Sequence, residues 1–157
     1  MISAATVFLD FMSKSNSFET AILGLIFNNT DIAGIGDAGG LQNSAAAGSL
    51  YVSLHTSDPG EAGSQTTNET AYTNYARVSV ARSGAGCTVS GNSATNFAQI
   101  TFPQCGASGA TITHVGIGTD TSGAGTLLYS GALNSSLAVA LNITPLFAAS
   151  GLTVTED

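Results

Sequence analysis

The sequence predicts a mainly β chain, an antiparallel β-sandwich or jelly-roll-like domain preceded by an N-terminal helical arm. Three observations carry that expectation. Beyond residue 49, short runs rich in β-branched and aromatic residues follow one another with turn signals between them. Apolar residues recur at helical spacing only near the N-terminus. Charged residues make up 8% of the chain, where an ordinary soluble domain has roughly 25%, so the exterior must be built from Ser, Thr, Asn and Gly.

The 157 residues suit one domain plus an arm. Asn16 and Glu19 have the spacing of a capping box, and Phe18, Ala21, Ile22, Leu25 and Ile26 follow at helical intervals, which predicts a helix from Ser17 to Asn28. A shorter helical turn is expected over Ala4 to Met12, where Val7, Phe8 and Phe11 share a face. Residues 1–29 are read as the arm. Its stripe of Phe18, Ile22, Leu25 and Ile26 is the candidate assembly interface, the alternative being packing on the chain's own β domain. Residues 30–48, rich in Gly, Ala, Asp and Asn without periodicity, read as a linker.

Residues 49–157 read as the sandwich, with a core expected to be complete without the arm. Its strands are expected at Leu50 to His55, Ala76 to Arg82, Cys87 to Ser90, Asn96 to Phe102, Thr111 to Gly118, Thr126 to Ala132, Ser136 to Leu141 and Leu152 to Thr155. Between the first two lies a long polar loop, Thr56 to Asn74, which contains the turn signal Asp58-Pro59-Gly60.

Chemistry is sparse. Lys14, Arg77 and Arg82 face ten acidic residues, a formal charge of −7, so a nucleic-acid backbone would be repelled and no nucleic-acid partner is expected. Residues 1–12 lack a basic n-region and carry Asp10 in the apolar stretch, so no secretory signal is expected. The longest apolar run, Ala21 to Phe27, is too short for membrane insertion. Cys87 and Cys105 lack metal or redox spacing and read as two small buried hydrophobes, the alternative being a disulfide, in a protein made in a reducing cytoplasm.

Gly34-Ile35-Gly36-Asp37-Ala38-Gly39 satisfies GxGxxG but follows a helix instead of leaving a strand, so no dinucleotide is expected there. Asp120-Thr121-Ser122-Gly123 faintly resembles an aspartic-protease motif and is better read as a turn. His55 and His114, with Asp58 nearby in sequence, have no accompanying HExxH or GxSxG signature and read as packed, hydrogen-bonded strand-end histidines. The Asn-x-Ser/Thr triplets at Asn28, Asn68, Asn134 and Asn142 are what so Ser/Thr-rich a chain contains by chance. No catalytic, cofactor-binding or metal-ligating residue is assigned, and no cofactor is expected.

The strand and loop Leu50-Tyr51-Val52-Ser53-Leu54-His55-Thr56-Ser57-Asp58-Pro59-Gly60 resemble the opening LYVALHTxDPG segment of a family of small tailed-phage proteins, usually described as tail fibre proteins. Tyr75-Ala76-Arg77, Ile100-Thr101-Phe102-Pro103, Thr113-His114-Val115-Gly116-Ile117, Leu127 to Leu133 and Leu152-Thr153-Val154-Thr155 follow in that family's order. Cys87 departs from the pattern, standing where a large aromatic residue is expected.

The resemblance implies a non-enzymatic structural protein of a phage virion, made in the host cytoplasm and placed at the tail rather than the capsid surface. It would serve as a tail fibre or fibre-to-tail adaptor, assembled as a trimer or hexamer with other virion proteins through its arm and strand edges. Alternatives are a capsid decoration (cement) protein and a host-glycan-binding module. For the latter, Tyr72 and Tyr75 in the polar loop are the candidate stacking residues, since the chain has no Trp. A polysaccharide hydrolase would need a carboxylate pair in a cleft, which ten scattered acids do not suggest.

Overall fold

The computed structural model of the protein describes residues 13–157. The helical turn expected over Ala4 to Met12 lies outside them. The described chain is mainly β, in antiparallel sheets, with one helix, α1 (Asn16–Asn28).

The helix starts one residue earlier than expected, which moves its cap. Ser15, with extended backbone, occupies the N-cap, and its carbonyl accepts the N–H groups of Phe18 and Glu19 at 2.8 and 3.0 Å. Asn16 is therefore already helical and the capping box does not form; Glu19 is instead buried, 5% exposed. At the other end Asn29 turns left-handed (φ 53°) and Thr30 N–H donates back to Gly24 O at 3.1 Å, which closes the end of the helix.

Nine strands follow: β1 (Ser49–His55), β2 (Val78–Ala81), β3 (Cys87–Ser90), β4 (Ser93–Asn96), β5 (Ile100–Thr101), β6 (Ala110–Gly118), β7 (Leu127–Val139), β8 (Leu146–Phe147) and β9 (Thr153–Thr155). They form a four-stranded sheet in the order β2-β1-β6-β7, a three-stranded sheet β3-β4-β9 and the pair β5-β8. Alternation places Leu50, Val52 and Leu54 of β1 on the inner face, where they meet Ala94, Ile100 and Phe102.

Three strand expectations change. Residues 127–139 form one strand in place of two, because β7 pairs with β6 on both sides of a bulge: Leu137 to Val139 face Ile112 to Ala110, Leu127 to Ala132 face Gly118 to His114, and Asn134, Ser135 and Ser136 fall in the register shift between them. Ser93–Asn96 is a strand joined to β3 by the two-residue turn Gly91-Asn92, Gly91 having φ 58°. The span expected at Asn96 to Phe102 contributes only Ile100–Thr101 as β5.

The helix belongs to the core. Leu23 and Phe27 are buried in the same apolar cluster as β1 and β6, and α1 packs on β3 and β4. The core of residues 49–157 is thus closed by the helix, contrary to the expectation that it is complete alone. Phe27 also stacks on Tyr129, with ring centroids 5.7 Å apart, and borders Cys87 at a cavity of about 20 Å³, the position where the resemblance led to an expected aromatic residue. Both cysteines are free and buried, and burial pushes the Cys87 thiol up to about 11.

Residues 30–48 make a tied loop. Ile32 and Leu41 exchange backbone hydrogen bonds, Asn43 N–H donates to Asp31 Oδ1, and Ser44 N–H donates to Asn29 Oδ1. The GxGxxG glycines form its exposed tip, with Gly34 and Gly36 at φ 78° and 82°.

Candidate functional site

The densest polar chemistry lies on the outer face of the four-stranded sheet, beneath the long loop that follows β1. Residues 49, 51, 53 and 55 point to that face, yet Ser53 and His55 are completely buried. The loop covers them. It starts with Asp58 Oδ1 accepting Gly60 N–H at 2.8 Å, with Gly60 at φ 70°. It returns along β1 through Thr56 N–H to Asn68 O and Thr70 N–H to Leu54 O, both 2.9 Å.

His55 is held at both nitrogens. Nδ1–H donates to Thr67 O at 2.9 Å, which leaves Nε2 to accept Ser53 Oγ–H at 2.8 Å. Burial lowers its pKa from 6.5, only partly offset by the Thr67 carbonyl and the Glu69 charge. A Ser-His hydrogen bond is also the core of acyl-transfer sites, but here both partners are sealed from solvent and the bond fastens the loop.

Two glycines of β6 make room for this. A Cβ on Gly116, which pairs with Ser53, would stand 2.6 Å from His55 Nε2 and 2.7 Å from Ser53 Oγ. A Cβ on Gly118 would overlap the buried Gln65 side chain. Gln65 ties the loop to the β6–β7 turn, its N–H donating to Ala124 O at 2.8 Å and its Oε1 accepting Asp120 N–H at 2.9 Å.

Arg77 completes the brace. Nε and Nη2 each donate to the Glu69 carboxylate at 2.7 Å, while Nη1 and Nη2 donate to the carbonyls of Asp120 and Gly123 at 2.8 and 2.7 Å. Tyr75 hydroxyl donates to Glu69 Oε1 at 2.9 Å and accepts Leu54 N–H at 3.0 Å. Asp120-Thr121-Ser122-Gly123 is the β6–β7 turn, with Gly123 at φ 75°.

The other two basic residues are engaged as well. Arg82 donates to the carbonyls of Leu25, Ile26 and Ala47 and so neutralises the C-terminal end of α1. Lys14 Nζ lies 3.0 Å from Glu156 Oε2 and donates to Asp157 O at 2.7 Å.

The sequence-derived candidates fare unequally. Tyr72 is 3% exposed, its hydroxyl donating to Pro103 O at 2.9 Å, and burial pushes its pKa up to about 12. Tyr75 is half-buried, packed edge-on to Tyr72 and stacked on Phe102. Neither ring is free to stack on a sugar, because the polar loop folds down on the sheet and takes both with it. Along α1 the expected stripe divides: Ile26 packs on the core, Ile22 and Leu25 are half-buried, and Phe18 is 37% exposed. His55 and His114 are cross-strand partners, but His114 Nδ1 shares a 2.8 Å hydrogen bond with Thr113 Oγ1, and among the described residues no three His, Cys, Asp or Glu side chains converge. Sequence reasoning missed Gln65, Glu69 and Arg77. The signal for them was glycine inside a strand, at 116 and 118, which marks a close approach.

Fold and site together define a small antiparallel β protein in which one long loop is locked onto the face of a sheet. The particular kinship is shown by sequence: the family model of the podophage GP4 fiber I protein gp80 matches residues 13–155, and the chain belongs to that family. It is thus a phage fibre-family structural protein. No curated protein matches the chain.

Proposed function

We propose that the chain is a non-enzymatic subunit of a phage tail fibre, or of the adaptor joining fibre to tail, and that it assembles as a trimer or hexamer with other virion proteins. The observation that carries the reading is the outer face of α1. Leu23 and Phe27 face the core, while Phe18, Ala21, Ile22 and Leu25 line the opposite side of the helix, with Phe18 37% exposed. A helix apolar on two sides fits a second packing partner.

Leu141, Ile143 and Leu146, between 41% and 57% exposed, add apolar surface near the end of β7. Arm (1–29), linker (30–48) and sandwich (49–157) describe roles in assembly under this reading, with the helix serving both the core and the neighbour. All three basic side chains are taken up internally, which fits a particle component that does not grip nucleic acid.

Cryo-electron microscopy of the intact particle tests the proposal. Density at the tail in threes or sixes is the expected result. Icosahedral copies over the head would replace it with capsid decoration, and absence from mature particles would refute a virion role.

A further inference from the structure

The loop over the outer face of the sheet is held largely by polar groups. From Thr56 to Asn68 its only apolar side chains are Pro59 and Ala62, and segments with so few apolar contacts open at the low end of a protein's range of local stabilities. Closure also leaves Gln65 Nε2 buried and without a partner among the described residues, a cost that opening removes. The segment's hydrogen bonds to the rest of the molecule run from Gln65 N–H to Ala124 O, from Asp120 N–H to Gln65 Oε1 and from the His55 ring to Thr67 O. Directly after it, Glu69 is fixed by the paired bonds from Arg77, so an opening of the segment ends there.

We propose that this segment is an acid-released latch: proton uptake by His55 frees residues 56–68 while the sandwich stays folded. The ring is completely buried beneath the segment, with Nδ1–H donating to Thr67 O and Nε2 accepting from Ser53 Oγ. A proton on Nε2 reverses the second bond. Ser53 Oγ then has to accept, and its own hydrogen has no other acceptor among the described residues.

The charged or titratable groups that face the ring are Glu69 from the end of the loop, Arg77 from just before β2 and His114 from β6. Glu69 is the one anion of the three. Both of its oxygens already take bonds from Arg77, and Oε1 takes the Tyr75 hydroxyl as well. An imidazolium at position 55 therefore stands beside Arg77 without a free counter-ion, and lifting the segment is what lets water reach it.

Hydrogen exchange on the full chain is the test. Opening linked to this proton grows as pH falls below the ordinary histidine value of about 6.5. Between about pH 7 and 5, the protection of the Thr56 and Gln65 amides, corrected for intrinsic rate, should fall about three- to thirtyfold. Amides that pair β1 with β6 should stay protected by at least about hundredfold. A change under about twofold at Thr56 and Gln65, or β1–β6 protection that drops to the level of the loop, would overturn the proposal. In full-length His55→Gln the response should shrink below about twofold, and in His114→Gln it should persist. A response that survives His55→Gln, or that vanishes with His114→Gln, rejects the latch.

Discussion

At the scale of single residues, the loop brace makes demands that a reading of hydrophobic pattern does not register. Gly116→Ala should destabilise the fold by about 1–3 kcal/mol, the usual cost of forcing atoms into a filled site, measured as a lowered urea midpoint with unchanged slope. Replacing Arg77 by Ala leaves the Glu69 carboxylate without its partner in a setting where it is 14% exposed. A loss of about 3 kcal/mol is expected from such a broken buried pair, and Tm should drop accordingly. His55 gives the fold a pH dependence. Its folded pKa lies below its unfolded value of 6.5, so below that pH the unfolded chain takes up a proton that the folded chain resists. Its contribution is therefore complete above about pH 6.5 and declines as pH falls towards the folded pKa; thermal melts between about pH 7 and 5 should show this slope, and His55→Gln should flatten it. Tyr72 and Tyr75 were misplaced by the sequence reading because a run of Ser, Thr, Asn and Glu suggests a solvated loop. The buried groups that hold the loop, Gln65, Ser53 and His55, are polar and leave no trace in hydropathy.

Among the elements, strands with a clear alternation were readable and those without it were not. β1 and β6 announce themselves because their inward residues are Leu, Val and Ile. β4 has only Ala94 as an apolar inward residue and so lacks the usual contrast, while β7 is legible at both ends but not where the polar run Asn134, Ser135 and Ser136 joins them. The helix was legible as a helix, but its two apolar sides gave no means to tell inner from outer. Substitution now separates them. Leu23→Ala should cost about 2–5 kcal/mol, as for other fully buried leucines. Phe18→Ser should change stability by no more than about 0.5 kcal/mol, yet reduce incorporation into particles, as judged by the amount of the protein in purified virions. If Phe18→Ser virions incorporate the protein normally, the outer face of α1 is not the assembly surface.

For the whole molecule, the position of Lys14 matters beyond its ion pair. It binds Glu156 and Asp157, so the two ends of the described chain meet at one corner of the sandwich. A pull applied at residues 14 and 157 would first break that contact and then peel the three-residue β9 from β4 bond by bond, leaving the long β6–β7 pairing outside the line of force. Seen mechanically, the sandwich is a pendant bead beside a tension path drawn between residues 14 and 157, so under the proposed fibre role its stiffness would come from sideways contacts.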